Sequence, residues 1–341
     1  MMKVKKDNII SALLILIGIF CQIMPIIPDI LNYAIILILL IMFLILRKLD
    51  IENELSIKST YAIKWYGLFG LYAIMTSIYT INTINPEYAI IRIIICFVTA
   101  FFVTQYIDYE KNFTKLLDGF IIGGFIGILY VFSQQYFLIG TSRLGSSIYG
   151  SSVQFGNVII ITLYSLLWKY KNQSKKSIIL IISIIFAFFF ALASGTRKAL
   201  LLPILFYLIA TYIDPSEKKS KKLLFFLVIA VLLVVFCYYS IHNAFLYSII
   251  GKRIESLATT IFYNEESDGS AIARMNFKKL AFQMFLNKPI FGYGIHGFAY
   301  MNYYTYGKLV YAHDNILDIL SCLGIVGFIL FDSLLNMFNY N

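Results

Sequence analysis

The feature that most constrains this chain is the recurrence of long apolar stretches along almost its whole length. They run from Ile9 to Met24, Ile30 to Leu46, Ala62 to Ile81, Tyr88 to Ile107, Gly119 to Ile139, Val153 to Trp168, Ile178 to Ala193, Ala199 to Ile213, Leu223 to Ile241 and Ala312 to Leu335. A bilayer core roughly 30 Å thick takes about 20 such residues to cross as a helix, because unpaired backbone polar groups are too costly in hydrocarbon. With 60% hydrophobic and 13% charged residues, a soluble domain of 341 residues is excluded. The expected fold is all-α: a polytopic integral membrane protein of about ten transmembrane helices.

Lys3, Lys5 and Lys6 precede the first stretch as they would in a signal peptide, but no small-residue cleavage site follows, and a second stretch comes at once after Pro25, Pro28 and Asp29. The first stretch is therefore expected to be retained. Cys21, Cys96, Cys237 and Cys322 all lie inside apolar stretches, without the spacing of a zinc site or a redox pair, and read as packing residues.

Numbering the loops alternately sorts Lys and Arg into two unequal sets. One set contains Lys3, Lys5, Lys6, Arg47, Lys48, Lys58, Lys64, Lys111, Lys115, Lys169, Lys171, Lys175, Lys176, Lys218, Lys219, Lys221 and Lys222; the short loops of the other contain Arg143, Arg197 and Lys198. Positive residues stay inside, so both termini are expected in the cytoplasm. The expected division is a helix bundle over 1–241, a large extracytoplasmic loop over 242–311 between the last two spans, and a final helix with a short tail over 312–341. The net charge of +10 is then mostly a topogenic bias against the anionic inner leaflet and gives no support for nucleic-acid binding.

Basic residues that remain outside against this bias need a reason. In Ser194-Gly195-Thr196-Arg197-Lys198, small residues let the chain turn; if Arg197 and Lys198 open a helix, its amides and dipole add to their charge and favour an anion. A snorkelling interfacial pair is the alternative. In the long loop, Ser270 to Asn287 reads as a helix, with Ile272, Met275, Leu280, Phe282, Met284 and Phe285 on an apolar face and Arg274, Lys278 and Lys279 on a basic one. Pro289, Gly292 and Gly294 follow in a glycine-interrupted turn, where alternating glycines allow close backbone approach to a ligand or simply a tight turn. His313, Asp314 and Asn315 stand at the start of the last stretch. A neutral imidazole there can take a proton from a hydroxyl, with Asp314 or Asp318 orienting it; a polar helix cap is the alternative. Tyr300, Tyr303, Tyr304, Tyr306 and Tyr311 read as an interfacial aromatic belt, with sugar stacking as the lesser reading.

Taken together, SGTRKALLLPIL at 194–205, ARMNFKKLAFQMFLNKPIFGYGIHGF at 273–298 and AHDNILDILSCLGIVGFILF at 312–331 resemble the O-antigen ligase and O-antigen (capsular polysaccharide) polymerase family. The resemblance covers roughly 140–331. It implies a multi-pass glycosyltransferase of the bacterial cytoplasmic membrane, acting on undecaprenyl-pyrophosphate-linked oligosaccharide and an acceptor glycan at the outer face. A chain-length regulator and a flippase are the further partners it implies. Arg197 resembles the family's arginine after the small-residue turn, Arg274 the arginine before the Pro-x-x-Gly-x-Gly turn, and His313 the histidine opening a His-Asn motif, with Gly324 and Gly327 matching its later glycines. Asp314 stands where the family usually has Asn. Members generally continue with one or two further spans beyond the point corresponding to Asn341.

The chemistry so implied is an inverting attack by an acceptor hydroxyl, which calls for a base at the nucleophile and fixed positive charge at the leaving diphosphate. His313 suits the first; Arg197 and Arg274, with Lys198, Arg143 and Arg92 behind them, suit the second. Gly292 and Gly294 would lie against the substrate. No Asp-x-Asp pair is present, and neither a metal nor a cofactor is expected. Polymerase is preferred to ligase. A lipid-linked oligosaccharide transporter, which would need charges at mid-depth and broken, repeated helices, and a structural subunit of an export complex are the competing classes.

Overall fold

Pro25 and Pro28 end the first apolar run because neither can donate the amide that would carry a helix onward. Between them Ile26 donates to the Ile23 carbonyl at 2.9 Å, and the next helix restarts with Leu31 and Asn32 both donating to Pro28. The structure is a computed structural model that describes residues 2–50, 61–81, 86–107, 112–138, 144–173, 177–214, 231, 234–235, 238–244, 247, 251 and 269–336. The elements are α1 (Met2–Ile23), α2 (Asp29–Asp50), α3 (Tyr61–Met75), α4 (Pro86–Tyr106), α5 (Phe113–Gln135), α6 (Ser152–Asn172), α7 (Ile178–Ser194), α8 (Arg197–Ile213), α9 (Gly269–Asn287), α10 (Gly297–Tyr306) and α11 (Asn315–Asn336).

The described residues contain no strand, as an all-α reading requires. Among the described residues, four segments are long and apolar enough to cross a membrane: Asp29–Leu46, Ala89–Tyr106, Phe113–Gln135 and Asn315–Ser333. Shorter apolar helices cover Asp7–Ile23, Ile178–Ser194 and Lys198–Ile213. The stretch expected over Leu223 to Ile241 lies largely outside the described residues.

The chain divides into two compact units, Met1–Glu54 with Tyr106–Asn264, and Leu55–Gln105 with Glu265–Asn341. In the first, α1 and α5 pack backbone to backbone. A Cβ on Gly18 would lie 2.8 Å from the Gly119 Cα, and one on Gly123 would lie 2.7 Å from the Ile19 Cα, so small residues set the separation of the helices. The buried Gln22 amide lies at this seam and donates to the Phe120 and Val158 carbonyls, both at 3.4 Å. Between α7 and α8, Gly195 takes the left-handed conformation at φ 61° and donates to Leu192 at 2.9 Å. The buried Ser194 hydroxyl lies 2.9 Å from that of Thr196, which packs against Gly156 of α6. This turn fixes where α8 begins.

The second unit is organised around a break in its last helix. Gly324, at φ 66° and ψ −167°, interrupts α11. A continuous helix would bond the amides of Ile325 and Val326 to the carbonyls of Ser321 and Cys322. Instead Ile325 donates to Pro289 at 2.8 Å and Val326 to Ile290 at 3.3 Å, while Ser321 and Cys322 accept from Tyr293 at 3.0 Å and Gly294 at 2.8 Å. The turn after α9 thus exchanges backbone partners with the broken helix, and no buried amide is orphaned by the exchange. The Leu323 carbonyl is taken by the Tyr72 hydroxyl at 2.9 Å.

The same turn is fastened to the end of α3. Tyr79 donates to the Phe291 carbonyl at 2.8 Å, Thr80 to Ile295 at 2.8 Å, and the Ile295 amide to the Thr76 hydroxyl at 3.0 Å. Ala73, Phe277, Ala281, Met284, Phe298, Ala312, Cys322 and Leu323 form the core that joins α3, α9, α10 and α11. Gly67 and Gly70 of α3 face Phe97 and Ile93 of α4.

Candidate functional site

The helix expected over Ser270 to Asn287 is present as α9, but only part of the expected apolar face, Met284 with Leu280 beside it, meets the core. Phe277, Ala281 and Met284, spaced i, i+4 and i+7, enter the core, whereas Ile272, Met275 and Phe282 are exposed. Arg274 and Lys278 border the buried stripe one turn apart, both on the exposed side.

The last coil residues before α11 lie against this edge. His313 is held at φ 58°, a left-handed conformation that costs a non-glycine residue about 1–2 kcal/mol. Its imidazole lies between two aromatic rings: Phe277 is near-parallel, with centroids 5.9 Å apart and planes at 16°, and Tyr311 is at 4.3 Å. Among the described residues no group hydrogen-bonds the imidazole. Partial burial, and then repulsion from the Arg274 guanidinium, hold its pKa below the ordinary histidine value. A neutral imidazole with an open nitrogen can accept a proton at neutral pH.

Asp314 has different partners. Its Oδ1 caps α11, accepting from the amides of Ile316 at 3.1 Å and Leu317 at 3.2 Å, and its Oδ2 lies 3.1 Å from Lys278 Nζ. The Leu317 amide first, then Lys278, hold this carboxyl below its ordinary value. Asp314 is thus an ionised N-cap bound to α9, and the His313 ring is not among its hydrogen-bond partners. Asp318, one turn on, accepts from the Ala312 amide at 3.2 Å.

The close backbone approach that Gly292 and Gly294 permit is made to the protein itself. A Cβ at Gly292 would lie 2.7 Å from the Gly324 amide nitrogen, and one at Gly294 would lie 2.8 Å from the Thr76 carbonyl. Both have positive φ, 68° and 85°. Next to them His296 is also left-handed, at φ 58°. Its ring keeps an open side, yet loses enough hydration in the turn, with Arg92 adding repulsion, to sit below the ordinary histidine value.

The second unit therefore brings Arg274, His313 and Asp314 together and sets Arg92 close enough to His296 to act on its charge. Arg197 and Lys198 belong to the first unit. Arg197 is the first residue of α8, and Lys198 is exposed. The helix start expected at these two residues is where α8 begins. Arg143 lies outside the described residues. Among the described residues no three His, Cys, Asp or Glu side chains are grouped to hold a metal ion.

Three features of the site went unread in the sequence. The Lys278–Asp314 ion pair had a signal in the i, i+4 spacing of Arg274 and Lys278, but its partner is 36 residues away in the chain. The Phe277 and Tyr311 rings around the imidazole, and the bond from Ala312 to Asp318, had none beyond nearness in sequence.

Residues 182–331 match the family model described as O-Antigen ligase. The matched segment begins within α7, ends within α11, and includes Arg197, Lys198, Arg274, Gly292, Gly294, His313 and Asp314; Arg92 and Arg143 fall outside it. No curated protein matches the sequence. Members of the matched family are membrane glycosyltransferases acting on lipid-linked glycans, in keeping with the apolar helices. The match over residues 182–331 supports the likeness to the O-antigen ligase and O-antigen polymerase family that the three motifs carry.

Proposed function

We propose that the chain is a polysaccharide polymerase that joins undecaprenyl-pyrophosphate-linked oligosaccharide units at the outer face of the cytoplasmic membrane. In this reading His313 takes the proton from an acceptor hydroxyl, whose oxygen attacks the anomeric carbon of the donor and inverts it. The bond from that carbon to the diphosphate oxygen breaks, and the diphosphate leaves with the electron pair. Arg274 meets its charge, and Arg197, Lys198, Arg143 and Arg92 are proposed as further cations for the same anion. Asp314 holds the base in place through its cap and its ion pair. No metal is required, because guanidinium groups stay charged and bind phosphate oxygens in pairs.

The single observation that carries the reading is an imidazole with no hydrogen-bond partner among the described residues, kept below its ordinary pKa by burial and a nearby guanidinium, in a segment that matches a family of glycan transferases. About ten spans, cytoplasmic termini, the division at 241 and 311, and partnership with a flippase and a chain-length regulator belong to the same proposal. A transporter would draw on the broken helix at Gly324. There the freed backbone groups are occupied by the turn after α9, which leaves none of them for a substrate or ion.

The test uses purified protein in liposomes with a lipid-linked repeat unit. Long polymer with release of undecaprenyl diphosphate is expected. Transfer only when lipid A core is supplied would make the protein a ligase. Movement of the intact lipid-linked unit across the bilayer without bond formation would overturn the transferase reading.

A further inference from the structure

We infer that Asp318 is a positioning residue for His313, acting through the backbone of Ala312. The inference rests on His313 being the base. A left-handed histidine persists only where its neighbours over-determine it, and here both neighbours are tied to the first turns of α11. On one side Asp314 caps Ile316 and Leu317. On the other, Asp318 Oδ1 reaches back across one turn to the Ala312 amide at 3.2 Å, while its own amide donates to the Asp314 carbonyl at 2.9 Å.

Ala312 is fully buried, packed in the core with Phe277 and Phe298, and lies outside any helix. Its amide has no place in a helical ladder, and a buried amide needs a partner. Asp318 supplies that partner, so the residue before the base cannot rotate and the imidazole stays between Phe277 and Tyr311. Asp318 is the one carboxylate in the first half of α11 and has no place in the proposed transfer chemistry. As the acceptor for Ala312 it has one.

The requirement is for an acceptor oxygen rather than a charge, and this separates positioning from catalysis. Asp318→Ala should lower kcat by roughly tenfold to a hundredfold, as a small misplacement of a reacting group does, with KM for the lipid-linked donor unchanged. Asp318→Asn keeps the oxygen and should keep kcat near wild type. In a His313→Ala background, Asp318→Ala should add no further loss to the residual rate, because the two act as one unit.

The experiment measures kcat and KM of these variants in detergent-purified full-length protein at matched monodispersity. Wild-type kcat in Asp318→Ala, or an equal loss in both backgrounds, would overturn the inference. If Asp318→Ala does not accumulate, Asp318→Asn decides: near-wild-type kcat supports the inference, and a loss as deep as that of His313→Ala contradicts it. Full activity in His313→Ala would instead remove the base, whereas an inactive His313→Ala beside a fully active Asp318→Ala removes only the role of Asp318.

Discussion

Lys278 Nζ lies 3.1 Å from Asp314 Oδ2, tying the middle of α9 to the residue that caps α11. The same carboxylate accepts the Ile316 and Leu317 amides, so one side chain fixes the helix start and its distance from α9. The cap needs only an acceptor oxygen, and the ion pair is half exposed, so the two functions separate. Asp314→Asn should keep the cap and lose under about 1 kcal/mol, the ordinary worth of an exposed pair. Asp314→Ala should lose about 1 kcal/mol more through the cap and a larger share of activity. Thermal unfolding in detergent, read beside the rate of transfer, checks the order.

Gly324 and Gly307 have nearly the same φ, 66° and 67°, but opposite surroundings. A Cβ on Gly324 would lie 2.7 Å from the Phe291 amide nitrogen, whereas one on Gly307 meets nothing within 4 Å. Gly307→Ala should cost only the left-handed conformation, about 1–2 kcal/mol. Gly324→Ala should cost several kcal/mol, about as much as the larger single-site effects, because it also forces the turn off the helix break. Melting temperatures of the two variants test this, and equal losses would contradict the interlock.

The base role proposed for His313 requires a neutral ring, and burial together with Arg274 lowers its pKa. The rate should therefore rise with pH through a pKa below 6.5 and be level above it. Arg274→Gln removes the repulsion, so the rising limb should move to higher pH. Arg274→Lys keeps the charge and should leave the limb in place while lowering the plateau, since the ammonium lacks the planar fork. A pH–rate profile of the three proteins measures both effects.

Much of the helical pattern was legible because an apolar run of membrane length has few folded alternatives: α1 to α8 and α11 each fall on an expected stretch. The loop helix was also legible, but its buried face only in part: Met284 and Leu280 meet the core as expected, Met275 and Phe282 do not. Met275 and Phe282 are as apolar as Phe277, and nothing local says which of them meets a neighbour. The break at Gly324 was hidden because one glycine in a run such as LSCLGIVGFIL reads equally well as helix packing. Its meaning lies in Pro289 to Gly294, some 30 residues earlier, whose carbonyls and amides complete it. His313 was readable from its place before an apolar stretch; its left-handed backbone and its two aromatic neighbours depend on tertiary contacts.

The charge asymmetry predicts which side carries the long loop. A cysteine introduced at Ser267 should react with an impermeant maleimide in intact spheroplasts, and one at Ser220 should react only after lysis. The reverse pattern would invert the orientation and move the proposed site to the cytoplasmic face.

The most direct measurement of the central claim is the rate of glycosidic bond formation by purified protein with lipid-linked repeat unit, in EDTA, for wild type, Arg274→Lys and His313→Ala at equal folded concentration. The account predicts polymer from the wild type without added metal, and losses on the order of a hundredfold or more in both variants, as for removal of one transition-state donor or base. Wild-type rates from both variants, or wild-type activity that vanishes in EDTA and returns with magnesium, would contradict it.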